Sequence, residues 1–105
     1  MSRSVARIGD IISTGHECDS TSIIKQGSTN VFINNRGAVR VGDSDTHNIP
    51  VVLPGPPPVI VCLPHTVTVG AASRTVFVNG RGLARVGDTF SGEVISTGSP
   101  NVFAG

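Results

Sequence analysis

A segment that occurs twice limits what this chain can fold into. Residues 30–43 (NVFINNRGAVRVGD) align without gaps on residues 75–88 (TVFVNGRGLARVGD). The apolar residues of both alternate or form short runs without a helical period, which predicts short strands. Asn34-Asn35 and Asn79-Gly80 separate these strands, and Asn and Gly tolerate the positive φ of a tight hairpin turn. Each copy is therefore predicted to be a β-hairpin that ends at a Gly-Asp pair.

A third copy of the segment is divided between the two ends of the chain. The C-terminal GSPNVFAG matches GSTNVFIN, and the N-terminal VARIGD matches AVRVGD. In this alignment Met1 and Gly105 both fall at the position of Asn34, in the hairpin turn. The first and last strands must therefore pair, which removes free strand edges and predicts three equivalent faces about a pseudo-threefold axis. We expect an all-β fold, with three hairpin repeats closed into one domain over residues 1–105.

Composition favours such a turn-rich fold and argues against several functions. The chain has 13 Gly and 7 Pro, no Trp or Tyr and only four Phe, so its core is thin and calls for an additional staple. A formal net charge of +1 with scattered basic residues lacks the electrostatic footprint of a nucleic-acid binder. No apolar stretch is long enough for a signal peptide or a membrane span, because prolines interrupt residues 50–64. We therefore expect a protein made in the cytoplasm.

Charged residues recur at equivalent positions of the three copies. They are the arginines Arg7, Arg40 and Arg85 and the aspartates Asp10, Asp43 and Asp88. Because Asp often caps turns, we interpret the set as a solvated face with turn-capping aspartates rather than as a substrate site.

All three histidines and both cysteines lie in the two longer connections between repeats, residues 11–23 and 44–68. His16 and His47 each follow an equivalent Gly-Asp, and equivalent strand ends converge in a threefold arrangement. Cys62 and His65 have a spacing that is common among zinc ligands. These four residues would make a closed tetrahedral zinc site, which is structural because no position remains for a catalytic water.

Cys18 is a fifth candidate ligand, two residues after His16. We favour His16 because its place after Gly-Asp matches that of His47, and we expect Cys18 to be a free thiol. In a reducing compartment two cysteines are more often metal ligands or free thiols than a disulfide. The expected cofactor is one structural zinc ion, with iron as an alternative because it accepts some of the same ligands.

The motifs ARIGD, VRVGD and ARVGD, each joined to GSTNVFIN, RTVFVNG or GSPNVFAG, resemble the PAAR-repeat family over essentially the whole chain. The Pro-Ala-Ala-Arg tetrad itself is loose here, as Gly37-Ala38-Val39-Arg40 and Gly82-Leu83-Ala84-Arg85. The resemblance implies a conical β-fold with a sharp tip and a flat triangular base. It also implies a zinc ion near the tip, held by three His and one Cys, which correspond to His16, His47, His65 and Cys62.

The resemblance further implies a structural role without catalytic residues. The base of such a monomer would sit on a trimeric β-helical spike, as in type VI secretion (the VgrG trimer) or contractile phage tails, and the cone would aid membrane piercing. Effectors are possible further partners, although we expect no effector extension within this chain. The alternatives are a free-standing structural zinc module and a zinc-dependent hydrolase. For the hydrolase, the acidic neighbours Glu17 and Asp45 are interpreted as exposed loop charges.

Overall fold

Short two-stranded hairpins and one six-stranded sheet make up the fold, which a computed structural model describes for residues 2–105. The predicted all-β class is confirmed, and no helix that could cross a membrane occurs in this range. Within it the strands are β1 (Arg3–Ser4), β2 (Ile11–Ser13), β3 (Thr21–Ile23), β4 (Phe32–Ile33), β5 (Arg36–Gly37), β6 (Ser44–Leu53), β7 (Val59–Ala71), β8 (Phe77–Val78), β9 (Arg81–Gly82), β10 (Thr89–Phe90), β11 (Glu93–Ile95) and β12 (Phe103–Ala104).

The hairpins β4–β5, β8–β9 and β12–β1 share one register. Each pairs a phenylalanine with a small residue: Phe32 with Gly37, Phe77 with Gly82, and Phe103 with Ser4. The predicted pairing of the first and last strands is therefore confirmed. The place predicted for Met1 in that turn lies outside the described residues.

Positive backbone angles occur where the turn residues predicted them. Asn34 and Asn35 have φ of 52° and 66°, and Asn79 and Gly80 have φ of 54° and 75°. Asn and Gly adopt this left-handed conformation at lower cost than other residues, so these turns stay tight and fix the hairpin register.

A closed ring of three main-chain hydrogen bonds joins the repeats. The N–H of Ala6 donates to the oxygen of Ala84, that of Ala84 to Val39, and that of Val39 back to Ala6, at 2.9, 2.9 and 3.2 Å. The three residues occupy the same position in their repeats and are fully buried. In each repeat this position lies between the hairpin and the Gly-Asp pair, so the ring holds the hairpins together as equivalent units.

The connections after Gly-Asp form the six-stranded antiparallel sheet, in the order β3-β2-β11-β10-β7-β6. Its edge strands β3 and β6 contact each other, so the sheet is nearly closed into a barrel. Buried side chains in and beside this sheet include Ile12, Ile24, Val69, Phe90 and Ile95. Strands β6 and β7 pair over their length from Ser44↔Thr68 to Leu53↔Val59, as one long hairpin.

The recurring arginines and aspartates are buried ion pairs, so the predicted solvated face is wrong. Each aspartate accepts the main-chain N–H of its arginine at 2.7 or 2.8 Å, which confirms the turn-capping role. Each also accepts bonds from the guanidinium group, and all three aspartates are almost inaccessible to solvent. Because a turn cap and an ion pair satisfy both carboxylate oxygens, the charge is tolerated in the interior.

Candidate metal centre

Two of the predicted ligands lie directly opposite each other on the long hairpin. His47 of β6 pairs with His65 of β7, and their Nε2 atoms are 2.9 Å apart. Cross-strand neighbours on one sheet face are this close because their Cβ atoms are separated by only about 5 Å. The His47 side chain is almost completely buried, whereas that of His65 is 29% exposed.

The loop after β2 brings the third histidine to the same place. The ring of His16 lies 5.2 Å from that of His47 and 5.6 Å from that of His65, measured between centroids. Its Nδ1 donates to the main-chain oxygen of Glu17 at 2.9 Å. Because a carbonyl oxygen only accepts, Nδ1 carries the proton of the neutral ring and Nε2 keeps a lone pair. The predicted convergence of His16, His47 and His65 is thus observed.

Glu93, at the start of β11, completes the cluster from the short third connection. Its Oε1 lies 2.8 Å from His47 Nε2, and its Oε2 lies 3.1 Å from His16 Nε2 and 3.4 Å from His65 Nε2. The carboxylate is 9% exposed, so the three histidines and the sheet shield it from water. Sequence reasoning missed this residue.

The contacts of His47 and Glu93 favour a positive charge between them. His47 Nδ1 donates to Asp45 Oδ2 at 2.6 Å, so in the neutral ring Nε2 faces Glu93 Oε1 with a lone pair. Glu93 Oε1 is buried and has no hydrogen-bond donor among residues 2–105. Two acceptors 2.8 Å apart repel each other unless a proton or a cation lies between them.

The pKa of His47 is raised, which means that this side chain holds a proton more readily than a free imidazole. Burial by itself lowers this pKa, but the hydrogen bond to Asp45, the close approach of Glu93 and the charges of both carboxylates outweigh burial and raise it above the ordinary value. A metal ion would supply the positive charge in place of the proton.

The four side chains fit a divalent metal ion. Their ligand atoms all lie within 4.8 Å of one another. Tetrahedral zinc with bonds of about 2.0–2.1 Å separates neighbouring ligand atoms by about 3.3 Å. The distances of 2.8–3.4 Å between Glu93 and the histidines lie close to this value, and only the widest pair of ligand atoms would have to move closer. Imidazole and carboxylate are ligands that zinc and iron both accept. His16, His47, His65 and Glu93 could therefore hold one metal ion.

The predicted role of Cys62 is corrected by its position on a strand. Side chains alternate between the two faces of a strand, so residues three apart point in opposite directions. Cys62 and His65 both lie within β7, which runs unbroken from Val59 to Ala71, so they do not share a face. Their C-x-x-H spacing suits metal binding on a loop or turn, and not on a regular strand.

The sulfur of Cys62 is bonded to that of Cys18, so neither the metal ligand nor the free thiol predicted for these residues is present. The disulfide ties the loop of His16 to the strand of His65. The same loop is also held at Asp19, whose Oδ2 accepts the main-chain N–H of Asn48 at 2.7 Å. These two ties position His16 against the long hairpin.

A signal for Glu93 was present in the repeat pattern. Its connection follows Gly87-Asp88, as the connections of His16 and His47 follow their own Gly-Asp pairs. Glu93 is the only ionisable residue from Thr89 to Val94. Threefold equivalence therefore pointed to this residue, whereas the search for His and Cys alone excluded it.

The acidic residues considered for hydrolysis differ in their surroundings. Glu17 is exposed, as predicted, but Asp45 is buried and bonded to His47, so its interpretation as a loop charge is wrong. In metal sites a carboxylate in this position orients the imidazole and raises its basicity. Asp45 is thus a positioning residue behind the candidate ligand.

Comparison with known proteins adds no relative to this description, since neither a family model nor a curated protein matches the chain.

Proposed function

We propose that this protein is a non-enzymatic cap for the trimeric β-helical spike of a contractile injection apparatus, of type VI secretion or of a phage tail. In this proposal the chain is made in the cytoplasm, assembles at the spike tip and is delivered with the spike across target membranes. Three observations support the proposal: the resemblance of the repeats to the PAAR family, the three exposed phenylalanines of the hairpins, and the candidate metal centre.

Three exposed phenylalanines carry the proposal. Phe32, Phe77 and Phe103 hold the same position in the three hairpins, and 57%, 59% and 56% of their surfaces are exposed. The fourth, Phe90, is fully buried in the core. A chain with a thin core that leaves three of its four phenylalanines exposed to water is expected to have a partner that covers them.

The equivalence of the three positions specifies the symmetry of that partner. The ring through Ala6, Val39 and Ala84 relates the hairpins cyclically within one chain. Three equivalent apolar contacts match a trimer, in which each subunit offers one identical pocket. One chain would therefore cap three spike chains, and its hairpins would form the flat base of the proposed cone.

The metal centre would reinforce the opposite, narrow end. The molecule measures 52 × 24 × 23 Å, so it has one long axis and two short axes of nearly equal length. The candidate ligands come from all three connections between the repeats. A bound ion would cross-link these connections, and zinc is our choice of metal because its tetrahedral preference suits four protein ligands.

The same ligand set weighs against the hydrolase alternative. A catalytic zinc keeps one position for water, whereas His16, His47, His65 and Glu93 would fill all four. A free-standing metal module would have no use for the exposed phenylalanines. Binding to a spike separates that alternative from the cap.

The test is a binding measurement with a trimeric β-helical spike protein encoded beside this chain's gene. We expect the wild type to bind and the triple variant Phe32→Ser, Phe77→Ser, Phe103→Ser to lose binding by at least about 100-fold, since each buried aromatic anchor contributes about 2 kcal/mol or more. The matched control is Val52→Ser with Ile60→Ser on the long hairpin, which is equally exposed and should bind normally. Unchanged binding of the triple variant would rule out the proposed base.

A further inference from the structure

A groove beside one of the three phenylalanines is rich in arginine. It runs between the hairpin β8–β9 and strands β1 and β7, and its charged lining consists of Arg3, Arg74, Arg81, Arg85 and Asp88. Phe77 borders the same groove. Four guanidinium groups thus face a single carboxylate.

Carboxylates of the protein leave part of this positive charge unmatched. Arg3 and Arg85 share Asp88, each with a nitrogen 2.9 Å from one of its oxygens. The Nη2 atom of Arg81 lies 3.8 Å from Asp43 Oδ1, which is too far for a hydrogen bond. Arg74 is exposed and has no carboxylate within 4.0 Å among residues 2–105.

Within residues 2–105, the guanidinium Nη1 of Arg85 has no side-chain acceptor of the kind that its two equivalents have. Arg7 donates through Nη1 to Asn34 Oδ1 at 3.0 Å, and Arg40 donates through Nη1 to Asn79 Oδ1 at 2.8 Å. For Arg85 Nη1 the described part of the chain supplies no acceptor. For Arg85, the place that Asn34 and Asn79 hold for Arg7 and Arg40 falls to Met1, which lies outside the described residues, so the charge available in the groove is that of Arg74 and Arg81.

Arg74 is the one arginine of the groove that does not follow the threefold pattern, since Arg3 and Arg81 share their repeat position with Arg36. The position of Arg74 is held by Thr29 in the first hairpin and by Pro100 in the third. These replacements show that the hairpin turn does not need an arginine for its own geometry. Arg74 is therefore free to serve recognition.

We propose that this groove binds an acidic peptide segment of a partner protein. Carboxylates of the segment contact Arg74 and Arg81. Guanidinium groups hold carboxylates through paired hydrogen bonds, which gives such a groove selectivity for Glu and Asp over neutral side chains. A nucleic acid fits less well, because the groove has one aromatic side chain and the whole chain carries a net charge of only +1.

That the partner is a spike subunit rests on the proposed function, whereas the preference of the groove for an acidic segment does not. Phe77 belongs both to the apolar base and to the groove, so a spike subunit that covers this phenylalanine would present its acidic residues beside it. The preference for carboxylates is a property of the groove itself and is testable without a spike.

The test uses three fluorescent probes: an alternating peptide of six Glu and Ser residues, the same peptide with Gln for Glu, and a ten-nucleotide single strand. Binding to the full chain is measured by anisotropy at low salt, and the contact surface by NMR chemical-shift changes. We expect the Glu peptide to bind at least about ten times more tightly than the other two probes, with shifts confined to the groove. Equal binding of the Gln peptide, or tighter binding of the nucleotide, would overturn the proposal.

Variants give the matched comparison. Arg74→Thr inserts the residue of the first hairpin, so folding is preserved, and we expect about a tenfold loss of Glu-peptide binding. Lys25→Gln removes an exposed cation elsewhere and should change nothing. Phe32→Ser with Phe103→Ser should keep peptide binding but lose the spike, so the two proposals fail separately. Unchanged peptide binding by Arg74→Thr would refute the groove and leave the cap intact.

Discussion

Asp45→Asn provides a strict test of the metal centre, because the residue touches a candidate ligand without being one. The Asp45 side chain is 1% exposed and its Oδ2 accepts from His47 Nδ1 at 2.6 Å. The variant keeps the shape of the side chain but removes its charge. The imidazole then loses the carboxylate that orients it and makes Nε2 more basic.

The expected loss of metal affinity follows from this geometry. Replacing a second partner of a ligand histidine weakens metal binding about 10–100-fold, which corresponds to about 1.4–2.7 kcal/mol. A short bond in a site screened from water favours the upper half of this range, because charge interactions are strongest there. We therefore expect zinc to bind about 30–100-fold more weakly to the variant.

The assay is competition for zinc against a chromophoric chelator at neutral pH. Glu17→Gln is the matched control, since it removes an exposed negative charge next to His16 and should leave the affinity within about twofold. Thermal melting of both metal-free variants checks that each is folded. If Asp45→Asn binds zinc as tightly as the wild type, Asp45 does not support a ligand, and the proposed centre is wrong.

Three further predictions concern the ligands, the disulfide and the hairpin packing. Glu93→Gln should bind less than one zinc per chain, and a chelator should no longer lower its melting temperature; a full zinc content measured by mass spectrometry would contradict this. Cys18→Ser with Cys62→Ser should lower the free energy of unfolding in urea by up to about 4 kcal/mol, because the disulfide closes a loop of 44 residues; an unchanged value would show that the disulfide does not form. Gly82→Ala should cost about 1–3 kcal/mol, because its Cβ would lie 2.6 Å from a main-chain oxygen, whereas Gly70→Ala, which meets nothing within 4 Å, should be nearly neutral. Equal stability of the two glycine variants would refute this packing argument.

The hairpins were predictable because their signals are local. Asn34-Asn35 and Asn79-Gly80 specify the turns by residue type, and the alternation of apolar residues around them specifies the strands. The pairing of β1 with β12 is a long-range contact, yet it was predictable because an internal repeat supplies the missing template. The two complete hairpins thus showed which residues of the first and last strands would pair, although these strands lie at opposite ends of the chain.

Burial of charge was not predictable in the same way. Asp43 and Arg40 look like surface residues by type, and nothing local indicates that the neighbouring repeats enclose them. Only the packing of three repeats around one axis excludes water from these pairs. A pattern that recurs three times at one position is as consistent with a buried network as with a solvated face.

The site was partly predictable. His16 and His47 were found because each follows an equivalent Gly-Asp pair, and the structure brings their rings together. Cys62 was chosen from a spacing rule, and that rule depends on whether the segment is a loop or a strand. Glu93 was missed because residue type was ranked above position.

Native mass spectrometry of the purified chain mixed with its trimeric spike tests the central claim most directly, because one spectrum reports both stoichiometries. The account predicts a complex of one chain with three spike subunits, in which the chain carries one divalent metal ion. A complex with three chains per trimer, or a single chain bound without metal, would contradict it.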